Sequence, residues 1–282
     1  MSLVDEKFEK MGARIKLGRM TPNRFNSNPV DVNIREDKKG QYYTINVADG
    51  VDLSILDLDP KDRHLVLMAK IPGEQKHQPP EKVKFLCGHD EREWFSCQLA
   101  NRSVTTVSDA KLALQPKEVR KAQKGMKKKE RLKRHTSNTH RQGEWFFIPF
   151  DLKEPDEELI HHKEPLMVGN ARAGSKPHIA QFAYRRGGER VNVVNGSRWP
   201  VVPLSQEDQD RLGNGLTDDE KRIFILRYPD TKKWAWTPMV RDPELFVKGT
   251  IRHPDHATLE LQDWHQVFMN VEERGRFSSF LD

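Results

Sequence analysis

The chain has little cysteine, no long apolar stretch and none of the familiar catalytic signatures. Its 282 residues include two cysteines, Cys87 and Cys97. That excludes a disulfide-stapled framework and fits a reducing compartment. No run approaches the roughly 18 to 20 apolar residues of a membrane span. The first residues, MSLVDEKFEKMGARIK, carry charges and no apolar core, so a secretory signal is not expected. The expected location is intracellular, cytoplasmic or nuclear, because a basic run also serves as a nuclear address. No P-loop, no G-x-G-x-x-G after a strand, no G-x-S-x-G elbow, no HExxH and no CxxC pair occurs. The stereotyped nucleotide-dependent, hydrolase and zinc-finger templates are thereby removed.

What is present is charge of one sign, concentrated in one place. The segment Pro116–Arg134, PKEVRKAQKGMKKKERLKR, holds ten Lys or Arg against two Glu, a net charge of +8 in a chain of +6. The remainder is slightly acidic. Clustered cations gain affinity for polyanions by releasing counterions from phosphates. An ordinary solvated face mixes its signs, and this one hardly does. The segment lacks the broad apolar face of an interfacial helix, so nucleic acid is the expected partner and a membrane is not. A protein partner is compatible with the same surface.

Composition supports a packed core. Six Trp, 13 Phe and many branched aliphatics accompany 32% charged residues. The pattern predicts α+β architecture with mostly antiparallel sheet, a few helices and a basic helical insertion. Residues 1–40 read as an extended or partly disordered lead-in. Residues 41–114 read as a β-rich N-terminal region, with strands over Tyr42–Ala48, Val51–Leu58 and His64–Ile71. KVKFLCG and EWFSCQLA flank His89-Asp90-Glu91-Arg92 as a hairpin, in a register that sets Cys87 near Trp94 rather than opposite Cys97. Residues 115–142 read as the basic helix and a linker, with Ser108 capping a short helix just before. Gly125 and like charges at i,i+4, such as Lys117–Lys121, weaken that basic helix. Residues 143–282 return to β and can share one domain with 41–114. Gly187-Gly188 predicts a hairpin between HIAQFAYRR and RVNVVNG. Thr217 is a candidate helix cap, with IFILRY continuing as a strand.

Three sets of residues carry candidate chemistry. On the binding reading, phosphates are gripped by Lys117, Arg120, Lys121, Lys124, Lys127, Lys128, Lys129, Arg131, Lys133 and Arg134. Arg141 extends the track, Arg185 and Arg186 offer a second contact, and Trp145, Phe146 and Phe147 would stack on bases if exposed. The second set is the turn His89, Asp90 and Glu91, beside Cys87. The third is His253-Pro254-Asp255-His256 with His265. An HxxH with a further His and Asp suits proton transfer or metal ligation. His256-Ala257-Thr258-Leu259 also resembles one half of the paired H-x-T/S-hydrophobic motif of 2H phosphoesterases; His178-Ile179-Ala180-Gln181 lacks the Thr or Ser, and no second copy is complete.

Two classes of function follow. In the first, the protein is a nucleic-acid-binding accessory protein whose basic segment holds the backbone without reading sequence. In the second, it processes nucleic acid by phosphodiester hydrolysis or transfer, with His89, Asp90, Glu91, His253, His256 and His265 gathered around the substrate. Cofactors are unassigned, and a divalent cation enters only with the enzyme. A third reading, a structural subunit of a ribonucleoprotein or defence assembly, uses the same basic segment. The enzyme reading makes a spatial demand: the turn at His89 and the histidines at 253–265 must meet.

Overall fold

The computed structural model describes residues 2–20, 28–73, 77–100, 103–166, 176–194 and 204–272. Among them are fifteen strands and six α-helices, arranged in sheets of three, four, six and two strands. The architecture is α+β and dominated by antiparallel sheet, as the sequence pattern predicts.

The expected lead-in is instead built structure. Helix α1 (Leu3–Met11) begins at a capping box in which Ser2 and Asp5 exchange hydrogen bonds, and it ends at Gly12 with φ 90°. Val4, Phe8 and Met11 fall on one helical face and are buried. Strand β1 (Ile15–Arg19) pairs parallel with β3 (Gly40–Val47), which pairs antiparallel with β2 (Val30–Asp37). The lead-in's charges disguise an apolar stripe spaced for a helix. The stretch from Thr21 to Ser27 lies outside the described residues.

A four-stranded meander follows: β4 (Asp52–Asp59), β5 (His64–Ile71), β6 (Glu81–Asp90) and β7 (Glu93–Gln98). Its middle strands are buried on both faces, which is why β5 reads as an almost continuous apolar run. On one face, Leu65, Leu67 and Phe85 pack with Phe8, Met11, Val32 and Tyr43. On the other, Val66 and Leu86 pack with Val107, Ala110 and Leu114 around helix α2 (Val107–Ala113). Thr106, not Ser108, caps that helix. The buried Tyr43 hydroxyl lies 2.7 Å from the Phe95 carbonyl and 3.1 Å from that of Gly88. Tyr43→Phe is expected to lower stability by about 1 kcal/mol in urea unfolding, the value of one buried hydrogen bond; an unchanged midpoint would show that the hydroxyl holds nothing there.

The β6–β7 hairpin forms as expected, but its register differs by two residues. Cys87 faces Ser96 and His89 faces Trp94, with Glu91-Arg92 as a two-residue turn. Both cysteines are free thiols. Glu91 takes positive φ in that turn, at 53°. Gly88, within β6, makes room for the ring of His64, since a Cβ there would overlap its Cδ2.

The basic segment is two short helices, not one. Helix α3 (Lys117–Ala122) and helix α4 (Lys128–Arg131) are separated at Gly125, whose φ is 85°. The expected linker after them contains β8 (His140–Gln142), paired with β9 (Trp145–Pro149). These two strands complete a six-stranded antiparallel sheet in the order β10-β11-β14-β15-β9-β8, with β10 (His161–Leu166), β11 (His178–Arg186), β14 (Glu244–Arg252) and β15 (Leu259–Met269). Phe147, Ala180, Val247 and Ile251 form its buried face.

The hairpin predicted at Gly187-Gly188 does not form. Strand β11 pairs with β10 and β14, whereas β12 (Glu189–Val194) pairs with β13 (Trp236–Arg241) in a separate two-stranded ribbon. Both glycines take positive φ, 67° and 87°, and turn the chain from one sheet into the other. Helices α5 (Gln206–Asn214) and α6 (Asp218–Arg227) cover the ribbon through Leu212 and Phe224, with Trp234 from the turn after α6 in the same cluster. The Thr217–Glu220 capping box keeps IFIL helical, against its β-like composition.

Candidate functional site

The basic segment is fastened to the body by uncharged groups. Val119 is fully buried. Gln123 donates to the Thr139 hydroxyl at 2.7 Å, Gln115 to the Arg131 carbonyl at 3.0 Å, and Asn138 to the Ala122 carbonyl at 2.7 Å. Nine of its ten cations divide into two groups; the tenth, Arg131, is half-buried, and its Nε has no hydrogen-bond partner among the described residues. Lys117, Lys128 and Lys133 pair with Glu118, Asp109 and Glu130 at 3.7, 2.7 and 2.7 Å. Arg134 bonds both Asp90 and Glu91, and Arg141 approaches Asp90 at 3.5 Å. By contrast Arg120, Lys121, Lys124, Lys127 and Lys129 are exposed and have no acidic partner among the described residues.

The other cationic candidates are committed elsewhere. Arg185 pairs with Glu164 at 2.7 Å, and Arg186 pairs with Glu244 at 2.8 Å while lying over the Phe246 ring. Trp145, Phe146 and Phe147 are all buried, so none offers a stacking face.

The spatial demand of the enzyme reading is met in part. The β6–β7 turn of the four-stranded sheet abuts the β14–β15 turn of the six-stranded sheet. Arg92 donates to the Pro254 carbonyl at 2.9 Å, and the Ala257 amide donates to Glu91 at 2.6 Å. Glu91 Oε2 then stands 3.6 Å from His256 Nδ1. Asp90 and Glu91 therefore do share a site with His253 and His256. His89 does not join it. It lies on the opposite side of β6 from Asp90, edge-on to Trp94 at 4.8 Å. Alternation along a strand sends neighbouring side chains to opposite faces.

His265 is also elsewhere. Its ring is 5.5 Å from that of His140, whose Nδ1 lies 3.3 Å from that of His135. The third histidine at the seam is His178, at the start of β11. Its ring stacks on His253 at 4.3 Å and on His256 at 5.3 Å. One ring nitrogen from each of His178, His253 and His256 lies within 4.8 Å of the others. In sequence, His178 is marked only by the incomplete His178-Ile179-Ala180-Gln181 copy, which lacks the Thr or Ser, and no spacing relates it to HxxH.

Hydrogen bonds orient these rings. His253 Nε2 faces the Lys176 carbonyl at 2.7 Å and must carry the proton, which leaves Nδ1 to accept from the Asp255 amide at 3.1 Å. His178 Nδ1 is 3.9 Å from Glu144 Oε1. Among the described residues, His178 Nε2 and His256 Nδ1 are both buried without a hydrogen-bond partner. Burial first, and then His253 and His256, push the His178 pKa down to about 3. Burial likewise lowers that of His256, against the pull of Asp90. Burial opposes ionisation of Asp90, but Arg141 and Arg134 hold its pKa below the usual carboxylate value. At neutral pH, His178 and His256 are thus uncharged bases beside a carboxylate pair. Lys176 pairs with Asp255 at 2.9 Å beside the rings.

Comparison with protein-family models, curated proteins and solved structures finds no match. Among the described residues no helix is long and apolar enough to cross a membrane.

Proposed function

We propose that the protein binds nucleic acid by its phosphate backbone, on the face formed by α3, the turn at Gly125 and α4. The observation behind this is the set of five exposed cations without acidic partners among the described residues, Arg120, Lys121, Lys124, Lys127 and Lys129. A cation already paired within the protein gains little from a phosphate, because the existing pair must first be broken. Unpaired ones release counterions directly. The buried Val119 and Gln123 hold this face on the body, so less chain ordering opposes binding than for a loose arm. Arg134 and Arg141 do not belong to the grip; they neutralise Asp90.

Replacing these five residues by Gln is expected to weaken binding to single- and double-stranded oligonucleotides. The slope of log affinity against log salt should flatten by about 0.7 to 0.9 for each phosphate that is no longer neutralised. Fluorescence anisotropy between low and moderate salt measures this, with circular dichroism confirming the fold. An unchanged slope in a folded variant refutes the reading.

A second reading, phosphodiester processing, is favoured by the approach of Glu91 to His256. His256, with Glu91 near its Nδ1, suits general acid–base work, whereas His178, its pKa pushed down to about 3, does not. Bound oligonucleotide that stays intact with Mg²⁺, Mn²⁺ or Zn²⁺ would reject this reading and leave the binding function.

A further inference from the structure

One seam histidine is held by a hydrogen bond: His253 Nε2 donates to the Lys176 carbonyl at 2.7 Å. Nδ1 of His178 and Nδ1 of His256 face Glu144 and Glu91 at 3.9 and 3.6 Å, ion-pair distances beyond hydrogen-bond reach. Protons on these three nitrogens leave Nδ1 of His253 and Nε2 of His178 and His256 as the lone-pair donors. A histidine that binds a metal almost always gives its second nitrogen to a carboxylate or carbonyl in this way. The buried Nε2 of His178 has no hydrogen-bond partner among the described residues. A buried polar atom left unsatisfied calls for a ligand, a water or an ion.

Gly143 keeps the adjacent space open. A Cβ at this position would lie 3.0 Å from His256 Nε2 and 3.2 Å from His178 Nε2. Both nitrogens therefore converge on one point from which side-chain atoms are absent. Gly143 also takes φ 57°, a conformation that disfavours other residues.

We propose that His178, His253 and His256 bind one divalent transition-metal ion of the zinc class, through Nε2 of His178 and His256 and Nδ1 of His253. The Lys176 carbonyl orients His253, Glu144 and Glu91 face the second nitrogens of His178 and His256, and the fourth position opens beside Gly143. Three imidazoles with an open position suit zinc, cobalt, nickel, copper or iron; magnesium and calcium prefer oxygen donors. The ligating atoms must draw in from within 4.8 Å to about 3.4 Å, the separation implied by zinc–nitrogen bonds of about 2.0–2.1 Å in a tetrahedron. Ligation at His253 Nδ1 replaces its bond from the Asp255 amide. The proposal uses none of the five cations of the basic face, so either can fail without the other.

The test uses untagged full-length chain stripped with a chelator, then titrated with Co²⁺ and afterwards with Zn²⁺. One equivalent should bind, with the intense visible absorption of tetrahedral cobalt, and Zn²⁺ should displace it. His256→Gln and His253→Gln should weaken binding at least about 100-fold, and Glu91→Gln about 10-fold, as removal of an orienting carboxylate does. His140→Gln, in the other histidine trio, should leave the affinity unchanged. If the ligand variants do not fold, ring-nitrogen NMR of the wild-type chain decides, since Zn²⁺ should shift His178, His253 and His256. Failure to bind cobalt, binding retained in folded His256→Gln, loss in His140→Gln instead, or shifts confined to His135, His140 and His265 would each overturn the proposal.

Discussion

Asp90→Ala is expected to cost about 2 kcal/mol of stability, far more than an ordinary surface substitution. Asp90 receives Arg134 on one carboxylate oxygen and Arg141 on the other, and its side chain is only 15% exposed. Removing one partner of a buried ion pair typically costs about 3–5 kcal/mol, because the surviving charge is left desolvated. Here the two guanidiniums are 37% and 30% exposed, so water recovers part of that loss. Two arginines would also be left with less negative charge beside the seam histidines. Urea unfolding of Asp90→Ala, Arg134→Ala and the double variant measures the coupling. A coupling above about 1 kcal/mol is expected; one near zero would mean that Arg134 does not tie the basic segment to the β6–β7 turn.

The second large effect is a loss of stability in mild acid that traces to His64. Its ring is buried under Gly88 and edge-on to Phe95 at 5.5 Å, and its Nδ1 bonds the Asp62 carbonyl. Burial, with Lys111 adding to it and Asp62 opposing, lowers its pKa from 6.5 to about 4. Above pH 6.5 the ring is neutral in both the folded and unfolded chains, and stability is intact. Between pH 6.5 and 4 the unfolded chain takes up a proton that the folded chain refuses, so stability falls. The full difference corresponds to about 3 kcal/mol. Urea unfolding at pH 7 and pH 4.5 should show wild-type protein losing about 2 kcal/mol more than His64→Gln over that interval. Equal losses would show that the ring titrates freely in the fold. His178, the other strongly shifted histidine, is common to both proteins and cancels in the comparison.

Much of the β architecture is legible in the sequence because the signal is local. Strand β5 and the β6–β7 hairpin announce themselves by β-branched and apolar residues within a few positions of each other. Sequence and structure part where a distant partner decides. Gly187-Gly188 looks like a hairpin turn, but β11 is claimed by β10 and β14. IFIL looks like a strand, but the capping box upstream sets a helix. The basic segment looks tethered because its anchors are polar: Gln115 and Gln123 are buried, and only Val119 shows the apolar periodicity of a packed helix.

The candidate site is half legible for the same reason. The dense turn at Asp90-Glu91 and the HxxH at His253 and His256 stand out as clusters of reactive side chains, and both reach the seam. His89 and His265 are close to those clusters in sequence, but strand alternation and sheet order remove them. His178 requires the register of β11 against β14, where Ile179 faces Arg252 and brings the preceding residue beside the HxxH turn.

The pairing of Arg134 with Asp90 and Glu91 also has a bearing on synthesis. A ribosome makes these three residues before His178, His253 and His256. Two carboxylates and their guanidinium can therefore meet as soon as the meander and the basic segment have emerged. The histidines are made last, after the acidic turn and the arginine that pairs with it. Vectorial synthesis thus presents the ion pairs of the seam before its imidazoles.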